Sequence, residues 1–405
     1  MSVKALQSPN FRMFMLGSAF SLNAIWMVRV TIGWLAWEMT GSASFVGLVG
    51  GLFFAPSLLM SPIFGVVTDR IDLRRGAMVT QSGQLILTAL LGALLFFSML
   101  TPTALAIGAA LSGVCGSAYQ PLRMALTPRL VPRHEIGSVV SIQAINFNLA
   151  RSTGPAISGA LIPWMGADKT MLIASGLFIP LLWILTRVEL RELAGPPRAK
   201  PPFFEAMAEG LRLVRRTPVL RDALILTAFN AVLVRGALEI LPVLADGRFE
   251  RGAAGLGALT ATAGLGALVA GLAITLLPTP RQGGVPWAVY AIVALGLAML
   301  FSLAAAETWP QALLTVALLS LSTTGVGILC QTVIQLSLED GMRGRVMSLW
   351  GVLAMGGGAI GAAILGVSAD LLGLGPALAT AGGVGGSVFL IVLYRGLRRS
   401  NASSR

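Results

Sequence analysis

Apolar stretches of 19 to 28 residues, separated by polar segments, recur from Phe11 to Tyr394. A helix rises about 1.5 Å per residue, so about 20 apolar residues cross a bilayer core. Twelve stretches have that length: 11–38, 44–67, 76–98, 103–125, 138–165, 169–187, 219–245, 252–277, 285–304, 309–333, 346–371 and 376–396. In lipid every backbone polar group needs an internal partner, and helices supply it within each segment. The expected fold is an all-α integral membrane protein with twelve transmembrane helices.

The longest polar stretch, Glu189 to Arg216, divides these spans into two sets of six. The expected organisation is a six-helix bundle over 1–188, a linker over 189–217 and a second six-helix bundle over 218–405. Pro196, Pro197, Pro201 and Pro202 make the linker's start extended. Phe204, Met207, Leu211 and Val214 then recur at helical spacing, with Glu205, Glu209, Arg212, Arg215 and Arg216 on other faces. That pattern fits an amphipathic helix on a membrane surface, and equally a solvated linker helix. An internal repeat links the two sets. A shift of 207 residues superposes Asn23-Ala24 on Asn230-Ala231, Gly137, Val139 and Ser141 on Gly344, Val346 and Ser348, and Gly154 and Gly159 on Gly361 and Gly366. Two bundles in parallel repeat are the plan of a secondary transporter.

Composition agrees. Hydrophobic residues make up 55% and charged residues 11%, with mean hydropathy +0.82, where a soluble domain has about 25% charged residues. The net charge of +12 does not point to nucleic acid, because its distribution is a topology signal. With the N-terminus inside, the inner segments hold 23 Lys and Arg, and the outer loops hold three, Lys169, Arg248 and Arg251. This places both termini and the linker in the cytoplasm of a cell whose plasma (inner) membrane the chain spans. The basic loops then face anionic lipid. The first apolar run, continuing through Arg29 to Trp37, is too long for a cleaved signal. The 48 glycines suit close helix contact. Cys115 and Cys330 each fall within a span and read as small apolar residues rather than a disulfide. A monomer is expected.

Ionisable groups inside the spans are the candidate chemistry, since each is costly there. Arg151 lies about 13 residues, roughly 20 Å, from either end of the fifth span. Arg29 and Arg235 lie past the midpoints of the first and seventh spans, where function and outward snorkelling are both open. Glu239 follows Arg235 by four residues, one helical turn, so the two can pair. Glu239 is the clearest carboxylate in a span and the best proton carrier; Asp370 and Glu38 are poorer, and the single histidine, His134, falls in an inner loop. An ion pair with Arg235 opposes proton uptake by Glu239 unless the pair breaks during the cycle. Asn23 and Asn230 fall near the midpoints of their spans, and Gln143, Asn146 and Asn148 in the inner half of the fifth. Each reads as a substrate contact at the repeat interface or as an interhelical hydrogen bond. Three arginines against one glutamate favour an acidic substrate.

Two motifs bear on movement. The second and third spans are joined by Gly65-Val-Val-Thr-Asp69-Arg70-Ile-Asp72-Leu-Arg74-Arg75. A carboxylate at a helix C-terminus is unfavourable without a partner. The spacing resembles the signature loop of the major facilitator superfamily: Gly, three residues, Asp, Arg, then paired basics. The resemblance implies that Gly65, Asp69, Arg70, Arg74 and Arg75 belong to a cytoplasmic latch between the halves. Asp72 stands where that family usually has Gly. Gly154-Pro155-Ala-Ile-Ser158-Gly159 bends a helix and gives it a small-residue face. It resembles the Gly-Pro motif of proton-driven antiporters of the superfamily, with Ser141 and Ala150 where the upstream glycines stand, so Gly154 and Pro155 join the gating set. Ser8-Pro-Asn-Phe-Arg12, Trp37-Glu-Met-Thr-Gly41-Ser42, Leu130-Val-Pro-Arg133, Glu209 to Arg216 and Arg343-Gly-Arg-Val-Met-Ser348 resemble the subgroup containing enterobactin and macrolide exporters. The expectation is a proton-coupled exporter working by alternating access on a small, acidic, siderophore- or drug-like molecule. The alternatives are a facilitator or importer on the same fold, and a non-transporting sensor or scaffold. No phosphate loop of Gly-x-x-x-x-Gly-Lys-Ser/Thr form and no paired-carboxylate or His-rich site occurs in the spans, so neither an enzyme nor a cofactor is expected.

Overall fold

The structure, a computed structural model, describes residues 7–68, 71–132, 135–190, 203–276, 284–338 and 340–403. No strand occurs among them. The helices are α1 Pro9–Thr40, α2 Ala43–Thr68, α3 Leu73–Phe96, α4 Pro102–Leu126, α5 Ile136–Met165, α6 Ala167–Gly176, α7 Ile179–Arg187, α8 Phe203–Arg216, α9 Pro218–Phe229, α10 Gly252–Thr275, α11 Trp287–Ala304, α12 Trp309–Leu336, α13 Asp340–Leu372 and α14 Leu374–Ser403. Helix covers most of each of the twelve apolar stretches among the described residues. Among the described residues, eight helices are long and apolar enough to cross a membrane, or nine if the bent pair at Thr217 counts as one span.

Proline sets several boundaries. Ser8 caps α1 ahead of Pro9 by accepting from the Phe11 amide, and its hydroxyl donates to the Leu130 carbonyl at 2.8 Å. The sixth stretch breaks at Leu177–Phe178 into α6 and α7, with Pro180 in the first turn of α7. The seventh departs furthest from the expected continuous helix. After α9 it winds as a π-helix over Asn230–Arg235, breaks at 238–240, and resumes into a second π-stretch, Val243–Arg248. Pro242 has no N–H for the Leu238 carbonyl, which explains the break. Between Arg235 and Glu239 the regular α-helical ladder gives way to tighter bonds, Leu238 N–H to the Arg235 carbonyl and Glu239 N–H to the Gly236 carbonyl, both at 3.0 Å. Asp72, out of pattern in the loop motif, is the N-cap of α3: its Oδ1 accepts from the Arg75 amide at 2.8 Å.

Contacts group the chain into two compact units. The first comprises Met1–Gly41, Leu52–Ala199 and Ala245–Ala261; the second comprises Ser42–Gly51, Lys200–Leu244 and Thr262–Arg405. In the first unit, Phe11 and Phe14 of α1, Leu73 and Ala77 of α3, Tyr119 and Leu122 of α4, and Leu181 and Leu185 of α7 form a sealed core. Polar stitches run beside it: Ser21 donates to Gln81 Oε1 at 2.7 Å, and Gln84 donates to the Ser112 carbonyl at 3.0 Å. Each such bond between helices is worth about 0.6–1.7 kcal/mol.

In the second unit the π-stretch Asn230–Arg235 crosses α13 at glycine. A Cβ on Gly361 would run into the Val232 carbonyl oxygen, and one on Gly357 would lie 2.6 Å from Ala231 Cβ. α8 turns 112° from the helix that follows it, at Thr217 ahead of Pro218. It packs on α13, where Glu209 pairs with Arg345 and Gly210 faces the Arg345 carbonyl. On α8, Val214 is buried and Leu211 is exposed. Cys115 and Cys330 are free thiols.

Candidate functional site

The first unit builds its site on α1 and α5. Gly154 lets the two helices close, since a Cβ there would lie 2.7 Å from Trp26 Cβ and 3.0 Å from the Asn23 carbonyl oxygen. Three bonds lock the register. Asn146 Nδ2 donates to the Met15 carbonyl at 3.2 Å, Thr153 Oγ1 to Asn23 Oδ1 at 2.7 Å, and Ser158 Oγ to the Met27 carbonyl at 3.2 Å. Asn23 also donates to its own helix at the Ala19 carbonyl. Gln143 donates to Thr127 Oγ1 at 2.6 Å. Asn23, Asn146 and Gln143 thus make the interhelical bonds that were the second reading of each, and Asn148 bonds the Ala144 carbonyl of its own helix. Pro155 has no N–H for the Arg151 carbonyl, so α5 is polar at the residue that carries its charge.

This locked pair brings the arginines together. The Arg29 guanidinium lies 5.0 Å from the Trp26 ring, 4.5 Å from Phe54 and 5.9 Å from Phe53. Arg151 approaches the same Trp26 ring at 5.9 Å. Both arginines are half-buried. Trp26 meets Phe147 edge-on at 5.9 Å, and Arg123 stands 6.0 Å from Phe147. Three guanidinium groups thus flank one connected pair of rings, Trp26 and Phe147. A cation over a ring gains about 0.5–2 kcal/mol, which holds a guanidinium in place without neutralising it.

The second unit holds the remaining candidates. Asn230 is buried, and its Nδ2 has no partner among the described residues. It borders a cavity of about 10 Å³ whose other walls are apolar, among them Val293, Leu297, Val388 and Phe389; that is room for about one water. Arg235 lies across Gly358 of α13, where a Cβ would be 3.1 Å from its Cδ and Nε. Glu239, in the break, lies against Gly50 of α2, where a Cβ would be 3.8 Å from its Oε2. Of the latch residues, Arg74 donates to the Thr186 carbonyl at the end of α7, and Arg75 is exposed. Gly65 is placed within α2, whereas Asp69, Arg70 and His134 lie outside the described residues.

A model of a transmembrane secretion effector family, within the major facilitator superfamily, matches residues 2–404. The chain belongs to that family. The transporter is 28% identical to the enterobactin exporter EntS of Shigella flexneri, over 93% of this chain and 85% of that protein. It is 26% identical to the multidrug efflux pump Tap of Mycolicibacterium fortuitum, over 85% of each. Its fold matches a bacterial homologue of the human lysosomal transporter Spinster with a TM-score of 0.69 at 14% identity, covering 95% of each chain. The chain is thus a multi-pass membrane transporter and not an enzyme.

Three groups of this transporter escaped the sequence reading. Arg123, counted there with the inner loops, is 6% exposed in the last turn of α4. Its place inside the fourth apolar stretch was the available signal. Asp370, ranked as a weak proton carrier, caps the start of α2. Its carboxylate accepts from the Ser42 hydroxyl at 2.7 Å and from the Ala43 and Ser44 amides at 2.7 and 2.9 Å. Asp246 accepts from the Trp37 indole at 3.0 Å and from the Gly252 amide at 3.2 Å. Neither partner set is readable from local spacing.

Proposed function

We propose that this transporter exports a small acidic molecule from the cytoplasm by alternating access, coupled to protons. The observation that carries the reading is the convergence of Arg29 and Arg151 on Trp26. Two guanidinium groups beside one ring, on helices locked by Gly154, form a preorganised fork for an oxyanion. The similarity to an enterobactin exporter supports export. Glu239 is the proposed proton carrier. Its helix is already broken there, and a carboxylate in a span is functional by default. The Arg74 contact with the end of α7 supports the latch role proposed for Gly65, Asp69, Arg70, Arg74 and Arg75. The protein is proposed to act as a monomer in the inner membrane, without nucleic acid or cofactor. Its two six-helix halves, 1–188 and 218–405, are proposed to be joined by a cytoplasmic linker over 189–217.

Arg151→Gln is expected to weaken binding of an aromatic carboxylate such as salicylate tenfold or more in nanodiscs while leaving the protein folded. Arg151→Lys retains part of the affinity, since it keeps the charge and loses the fork. Wild-type affinity in Arg151→Gln makes a neutral drug the better cargo, the second reading. That reading draws on the rings of Trp26, Phe53 and Phe54 and on the similarity to a multidrug pump.

The topology has its own check. Arg215→Cys, in a background lacking Cys115 and Cys330, should react with an impermeant thiol reagent only after the cytoplasmic face is opened. Labelling in intact cells inverts the proposed orientation.

A further inference from the structure

Arg123 is 6% exposed. Its Nη2 donates to Gln120 Oε1 at 3.1 Å, and its Nε is sealed from solvent with no partner. No carboxylate among the described residues pairs with it. The negative end of the α4 dipole offsets part of the charge. That leaves a planar fork of five donors with one neutral acceptor. Buried charges are otherwise paired. A bidentate oxyanion would complete that fork.

A route to it exists. Gln120, which holds the guanidinium, is itself exposed. Arg123 lies toward the end of the first unit where α1 begins, four residues before Thr127 and seven before Leu130, whose carbonyl takes the Ser8 hydroxyl. From Arg123 the series runs through Phe147 to Trp26, which Arg151 and Arg29 flank. We propose that Arg123 is a second oxyanion-binding site, at the α1-start end of the same series of rings and guanidiniums. An aromatic carboxylate fits it best, because each guanidinium on the series has a ring beside it. This deepens the acidic-cargo reading and rests on it for the direction of travel. A phospholipid phosphate carries the same oxygens, so the test separates the two sources.

The full-length protein is placed in nanodiscs of phosphatidylcholine and, separately, of phosphatidylcholine with phosphatidylglycerol. Salicylate binding is measured by calorimetry, and thermal unfolding is followed in both. With a cargo-type anion as partner, Arg123→Gln weakens salicylate binding at least tenfold. In phosphatidylcholine without salicylate it unfolds at or above the wild-type temperature, since an uncompensated charge has gone. With a lipid phosphate as partner, salicylate binding is unchanged, and phosphatidylglycerol raises the unfolding temperature of the wild type but not of Arg123→Gln. Either result supports the site and names its source. Equal salicylate affinity and equal response to phosphatidylglycerol in the two proteins overturns it, as does a wild type that responds to neither. If Arg123→Gln does not reach the membrane, Arg123→Met, which keeps an apolar stem, takes its place under the same criteria. Arg151→Gln measured alongside separates the two claims. Loss there, with Arg123→Gln matching the wild type in both salicylate binding and the phosphatidylglycerol response, keeps the cargo reading and removes this site, and the converse pattern keeps this site alone.

Discussion

Gly361→Val is expected to leave little folded protein. A Cβ at Gly361 would collide with the Val232 carbonyl oxygen and lie 2.7 Å from its carbon, while a Cβ at Gly236 would lie 2.7 Å from the Gly361 carbonyl carbon. These neighbours are backbone, so no side-chain rotation relieves the clash. Overpacking alone costs about 1–3 kcal/mol. Separating α13 from the π-stretch also forfeits the close packing that drives helix association in lipid. Gly361→Ala should unfold well below the wild type, whereas Gly351→Ala, with nothing within 4 Å of its added carbon, should match it. Thermal unfolding of the detergent-extracted proteins decides. A Gly361→Ala protein as stable as the wild type would show that α13 yields at this crossing.

The second large effect is expected at Asp370. Its carboxylate takes three donors at the first turn of α2. Asp370→Ala returns two amides and a hydroxyl to water or to nothing. Loss of a helix cap typically costs about 0.5–2 kcal/mol, and the exposed position of Asp370 keeps the loss inside that range. The sharper signature is local. Amide hydrogen exchange over residues 42–46 should accelerate about tenfold, while α11 and α12 stay protected. Asp370→Asn, which keeps one carbonyl acceptor, should fall between. Unchanged exchange in Asp370→Ala would mean that α2 caps itself.

The helices and the α1–α5 pairing had visible marks in the sequence, because small and polar residues in an apolar span are rare enough to stand out. Gly154, Ser158, Asn23 and Asn146 all proved to lie where α1 and α5 meet. What each one touches was not legible, since the partners are about 130 residues away. The 207-residue repeat anticipated a second glycine crossing at Gly361. It did not anticipate the π-stretch, which moves that crossing: Gly154 meets the Asn23 carbonyl, whereas Gly361 meets Val232 rather than Asn230. Pro242 was in view, and its effect on the seventh span was derivable from its missing N–H. Arg123 was hidden by the charge bias itself, which counts basic residues by segment and cannot tell a solvated arginine from a sealed one near a helix end.

The grouping of residues 42–51 with chain made far later has a consequence for biosynthesis. Asp370 follows Ala43 by 327 residues. At about 5–20 residues per second, the first turns of α2 wait roughly 15–65 s for their cap and for Gly366 of α13, where a Cβ would lie 3.1 Å from the Ala43 carbonyl carbon. A fragment released at the linker would hold α2 without that support. Over this interval the nascent helix depends on lipid or the insertion machinery, so slow translation beyond the linker should lower yield more than slow translation before it.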